Sequence, residues 1–162
     1  EDPALDSDRA ELCRRTFTGK NYEVSTMEID RDTDSYMIFT VNEILSKYKD
    51  AQLFLIIGSD MFLSFHKWYK YREIMKKCTL CVMSREDEDT VKALRSYAFS
   101  TLHIYMPSNE ANGIIISPSS PLEISSTEIR QKISAGEDVS DVLTKEAYEF
   151  IKERGMYGYA KK

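Results

Sequence analysis

The stretch AQLFLIIG, residues 51–58, most constrains how this chain can fold. Its apolar residues follow one another at strand length and the run stops at glycine. A strand with one wet face alternates apolar and polar residues, so an unbroken run fits a parallel strand covered on both faces. It is far too short to cross a bilayer, which takes about 20 residues. A helical stretch, HKWYKYREIMKK (66–77), and a second buried strand, CTLCVMS (78–84), come next. Strand, helix and strand in that order predict a parallel sheet.

The rest of the chain continues the alternation. Tyr22–Ile29 (YEVSTMEI) alternates well enough for a strand, and Ser35–Tyr48 places Tyr36, Phe39/Thr40, Ile44 and Tyr48 at helical spacing. Thr90–Ala98 is predicted helical, TLHIYM (101–106) and GIIIS (113–117) as strands, and PSSPLE (118–123) as a loop because of its two prolines. Two helices close the chain, Ser126–Ala135 and Lys145–Arg154, with Gly136 and Gly155 where C′ glycines belong. Near the start, Asp8 with Glu11 fits a capping box. The sequence opens directly into this helix signal without an initiator methionine, which suggests that an amino-terminal piece is absent. At 162 residues with no internal repeat, residues 1–162 are expected to form a single domain. The fold class is α/β, a parallel sheet with helices on both faces and ligands at the carboxyl ends of its strands.

Charge and cysteine content narrow the function. A net charge of −5 and a pI near 5.2 argue against a nucleic-acid partner. With no membrane segment and no signal peptide, the expected compartment is the cytoplasm. The three cysteines do not suggest a disulfide framework. Cys78 and Cys81 form a C-x-x-C inside a strand pattern and read as small apolar residues. His66 and His103 have no partner at metal or catalytic spacing and read as structural. The acidic run Glu86–Asp89 reads as a solvated helix start.

Candidate chemistry therefore sits after the strands. Gly58, Ser59 and Asp60 end the first buried run; Asp60 either caps the following helix or accepts hydrogen bonds from a ligand. Trp68, the one tryptophan, either stacks on a heterocycle or is buried with Ile74 and Met75 on one face of a basic helix. In EISSTEIR (123–130), Ser125 and Glu128 fit a capping box. That cap leaves Ser126, Thr127 and Arg130 unexplained. A helix amino-terminus carries free N–H groups and about half a positive charge, which suits phosphate. The two hydroxyls and the cationic fork of Arg130 would complete a phosphate seat.

Taken together, IIGSDM, WYKYREIMKK and EISSTEIRQKISAGEDVSDVLTKEAYEFIKERGMYG resemble the bacterial nicotinate-nucleotide adenylyltransferases of the Rossmann-like nucleotidyltransferase superfamily. The likeness runs from about Asp8 to Gly158 and includes an R-x-E-L-like helix, VSTMEIDR and an S-Y-x-x-x-T helix start. It implies transfer of the adenylyl group of ATP, with Mg²⁺, to nicotinate mononucleotide, giving deamido-NAD and pyrophosphate. By resemblance, Ser125, Ser126, Thr127 and Arg130 serve the ATP phosphates, with Arg130 catalytic. Gly58 and Asp60 contact the nucleotide, while Trp68 and Thr40 bind the mononucleotide.

The family's amino-terminal strand, glycine-rich turn and H-x-G-H are not in this sequence, so the first strand–helix unit and the opposite wall of the ATP site are expected upstream. Met37 and Phe39 depart from the usual small or polar residues, and Ser59 from alanine. The competing readings are an adenylyltransferase for nicotinamide mononucleotide or phosphopantetheine, and a non-catalytic nucleotide-binding module. A homo-oligomer is compatible with the sequence but not specified by it.

Overall fold

The computed structural model describes residues 4–85, 88–119 and 124–159. The chain divides into two compact units: residues 1–31 with 123–162, and residues 32–122.

The central unit is built on a sheet. Strands β1 (Leu53–Gly58), β2 (Cys78–Arg85), β3 (Glu110–Ala111) and β4 (Ile114–Ser119) lie in the order β1-β2-β4-β3. β1 and β4 both run parallel to β2, and the short β3 is antiparallel to β4. Helices α2 (Met37–Lys47), α3 (Ser59–Leu63), α4 (Tyr71–Lys77) and α5 (Glu88–Ser100) supply the cover. The two apolar runs of the sequence are neighbouring parallel strands, as expected for α/β chemistry.

Alternate residues of the sheet, Ile57, Leu80, Val82, Ile114 and Ile116, point into one core. Phe62, Phe65, Ile74 and Leu94 meet them there. Along β1 the expectation of cover on both faces fails: Phe54 is 52 % and Ile56 70 % exposed. β1 is the last strand in the order, and its even-numbered residues face away from the packed side.

Several local expectations need correction. Tyr22–Ile29 is not a strand; its backbone makes short-range turns instead, with Tyr22 N–H donating to the Gly19 carbonyl and Asp30 N–H to that of Thr26. A strand exists only through a ladder partner, and alternation alone does not supply one. Residues 101–106 are also not a strand. His103 has φ of 61°, which breaks extended backbone, and β4 takes the place beside β2. The missed β3 had a clear signal: Asn112-Gly113 has φ of 51° and 80° and makes the two-residue hairpin turn that this dipeptide favours. β4 extends through Pro118 to Ser119, so the loop predicted over 118–123 does not begin at Pro118; residues 120–123 lie outside the described residues. Residues 86 and 87 of the acidic run lie outside them too.

The helix read over 35–48 is present as α2; its buried residues are Ile38 and Val41, with Leu45 packed against them, while Tyr36, Phe39 and Tyr48 are exposed. The predicted helix over 66–77 is interrupted. A 3₁₀ turn (Phe65–Lys67) gives way to extended backbone at Trp68, and left-handed Lys70 (φ 54°) then opens α4. Cys78 is buried, Cys81 half-buried, and both are free; burial pushes the Cys78 thiol pKa up.

The unit of residues 1–31 and 123–162 packs three helices, α1 (Asp6–Thr16), α6 (Ser126–Ala135) and α7 (Lys145–Arg154), around Ile133, Val139, Phe150, Ile151 and Met156. Gly136 and Gly155 adopt the left-handed geometry expected of helix ends (φ 73° and 62°). The proposed Asp8–Glu11 box does not form. α1 begins at Asp6, Asp8 pairs with Arg154 at 3.1 Å, and Glu11 with Arg15 at 3.0 Å.

Candidate active site

The start of α6 is the best-defined element of the candidate site. Ser125 is the N-cap in extended backbone. Its hydroxyl accepts from Glu128 N–H at 3.1 Å, and Glu128 Oε2 accepts from Ser125 N–H at 2.6 Å. The capping box predicted from EISSTEIR is therefore formed. It disposes of Ser125 and Glu128 and leaves Ser126 and Thr127 exposed on the first turn. Arg130, half-buried one turn on, donates to Thr127 Oγ1 at 3.3 Å, so its guanidinium is held back toward the amino-terminal end. Two hydroxyls, free helix N–H groups and a cation converge on one turn, which is what a phosphate requires.

Two stability predictions follow from the box. Ser125→Ala is expected to cost about 1 kcal/mol, read as a lowered Tm. The Ser125 N–H, and then its hydroxyl, hold the Glu128 carboxyl below the usual carboxylate range. A lowered folded-state pKa gives stability that is complete above the ordinary glutamate value of about 4.3 and is lost as pH falls through the lowered one. Thermal unfolding between about pH 6 and pH 3 should show this loss, and Glu128→Gln should flatten it.

The central unit carries the other candidates. Gly58 closes β1 and caps α3 with φ −74° and ψ 162°, a conformation open to any residue. Its requirement for glycine has a different origin: a Cβ there would lie 2.6 Å from Asp60 Oδ1. The aspartate folds back over the strand end, and Gly58→Ala should displace that carboxylate with little loss of stability, seen as an unchanged Tm. Asp60 is exposed on α3 and is not its cap, so the capping alternative fails.

Trp68 is half-buried with its ring on Phe65 at 5.1 Å, and Ile74 and Met75 share that core. The burial predicted for a core tryptophan is present, without the continuous helix. Thr40 is half-buried on α2. The stretches holding Thr40 and Trp68 are brought together by their neighbours. Tyr69 meets Tyr36 at 4.7 Å and Phe39 at 6.1 Å, and all three rings are exposed. Lys70 Nζ lies 5.6 Å from the Tyr69 ring. Sequence reasoning missed this aromatic group because it read Tyr36 and Phe39 only as helically spaced residues of one element. The signal was there: a second aromatic set on α2, out of phase with Ile38 and Val41.

Comparison with known proteins completes the description. The cytidylyltransferase-like family matches residues 1–132. A nicotinate-nucleotide adenylyltransferase of Legionella pneumophila (strain Corby) is 31 % identical over 144 residues, covering 85 % of this chain and 68 % of the relative. One from Shewanella frigidimarina is 30 % identical, covering 84 % and 68 %. Among solved structures, Plasmodium falciparum nicotinic acid mononucleotide adenylyltransferase complexed with APC superposes with a TM-score of 0.51 at 15 % identity. That match covers 81 % of this chain and 61 % of the other, and shows a shared fold. The chain thus spans about two thirds of the length of these relatives.

Proposed function

Because this chain belongs to the cytidylyltransferase-like family, in its nicotinate-nucleotide adenylyltransferase branch, we propose that it transfers the adenylyl group of ATP to nicotinate mononucleotide, giving deamido-NAD and pyrophosphate. It is a nucleotidyltransferase of NAD biosynthesis. A phosphate oxygen of the mononucleotide attacks the α-phosphorus of ATP in line; that O–P bond forms as the bond to the bridging oxygen breaks, and pyrophosphate leaves. No covalent enzyme intermediate is required.

What carries this assignment is the first turn of α6. In-line phosphoryl chemistry asks the protein for positioning and for charge placed where the phosphates gain it. Ser126 and Thr127 offer hydroxyl donors, and Arg130, tethered to Thr127, offers a cation already near its working position. Ser125 serves this end through the cap, which frees the remaining N–H groups for phosphate. Gly58 and Asp60 contact the nucleotide, the acceptor ring packs at Trp68, and Thr40 lies at the acceptor end. Both units are thus assigned to one nucleotidyltransferase domain and one reaction, and a cytoplasmic location belongs to the same assignment. No helix among the described residues is long and apolar enough to cross a membrane.

ATP is taken as its Mg²⁺ complex, so the metal enters as part of the substrate. The residues do not fit a resident ion. No three His, Cys, Asp or Glu side chains cluster among the described residues, and α6 offers donors, which suit phosphate oxygens and not a hard cation. No step is assigned to a protein-held metal. Pyrophosphate release on mixing the full-length protein with ATP and nicotinate mononucleotide tests the assignment directly.

A further inference from the structure

We propose that Tyr97 is a positioning residue for the acceptor end of the site, acting by pinning the backbone of the turn that delivers Trp68. The inference rests on the function proposed above, but its geometry stands alone. Tyr97 lies on α5, 31 positions from His66. Its Oη accepts the backbone N–H of His66 at 3.1 Å and lies 2.9 Å from His66 Nδ1.

The turn explains why the pin matters. Ser64 N–H donates to Met61, Lys67 N–H to Ser64, Trp68 N–H to Phe65 and Tyr71 N–H to Trp68. His66 N–H, in the same stretch, is supplied with an acceptor by the Tyr97 hydroxyl. A short turn with an unmet N–H loosens, because the first donors of a helical turn have no partner of their own. Trp68 follows two residues later, with its ring on Phe65. Tyr97 also packs edge-on against fully buried Phe62 at 5.2 Å, which fixes where its hydroxyl can reach.

Oη accepts the His66 N–H and lies within hydrogen-bond distance of Nδ1, a contact in which either atom can be the donor. Burial pushes the Tyr97 hydroxyl pKa up.

One variant of the full-length protein tests the pin. In Tyr97→Phe, made in a background where Trp68 is the one tryptophan, its emission should shift to the red and quench more readily with acrylamide. The KM for nicotinate mononucleotide should rise about fivefold, the worth of one net hydrogen bond, with the KM for ATP unchanged. A variant that loses Tm but keeps wild-type emission and acceptor KM makes Tyr97 a core residue only, and overturns the proposal. Should the wild type adenylylate no acceptor, the functional assignment falls, while the emission result still decides the contact.

Discussion

Arg130→Ala is expected to lower kcat/KM for ATP by about 2–4 kcal/mol of transition-state stabilisation, roughly 30- to 900-fold. The size follows from where the guanidinium sits. It is held by Thr127 Oγ1 at 3.3 Å, on the turn proposed above as the phosphate seat. Charge preplaced in this way requires little reorganisation when the transferring group gains negative charge. Arg130→Lys should recover only part of the loss, because an ammonium lacks the planar fork that grips two oxygens at once. Tm should change little, since neither variant touches the Ser125–Glu128 box or the packing of Ile133. ATP kinetics in Arg130→Ala that match the wild type would remove this residue from the phosphate site.

The second large effect is expected at Trp68. Truncation to alanine removes a half-buried indole from its contact with Phe65 and should cost about 2–3 kcal/mol of stability, below the range for fully buried tryptophans. If the ring also packs against the acceptor, the KM for nicotinate mononucleotide should rise several-fold more than that for ATP. Trp68→Phe separates the two contributions, because it keeps most of the core contact while shrinking the surface offered to a ligand. Equal changes in both KM values, in proportion to the loss of Tm, would reduce Trp68 to a core residue.

Legibility in the sequence followed the range of the interactions. The Ser125–Glu128 box, the α6 and α7 limits and their C′ glycines depend on residues within one turn of each other, and those expectations held. β1 and β2 were readable because unbroken apolar runs have few other uses. Tyr22–Ile29 failed because strand character depends on a distant partner that local alternation does not reveal. The 3₁₀ turn at 65–67 was hidden for a related reason. HKWYKYREIMKK has ordinary helix propensity throughout, and the break depends on Lys70 adopting left-handed backbone and on Tyr97, far along the chain, taking the His66 N–H.

The first turn of α6 was legible because helix caps have a local grammar; its use as a phosphate seat is the proposal made above. At Gly58 the backbone needs no special turn, and what a side chain there would meet is the Asp60 carboxylate, a contact that the sequence does not announce. Tyr36, Phe39 and Tyr69 were missed as a group, because an exposed aromatic cluster assembled from two elements leaves no contiguous pattern.

The central claim is that the full-length protein adenylylates nicotinate mononucleotide. Its most direct test supplies ATP with nicotinate mononucleotide, nicotinamide mononucleotide or phosphopantetheine in parallel and follows pyrophosphate release. The account predicts rapid release with nicotinate mononucleotide and formation of deamido-NAD, with the other two acceptors far slower. Preference for either of those acceptors, or no release with any of the three, would contradict it.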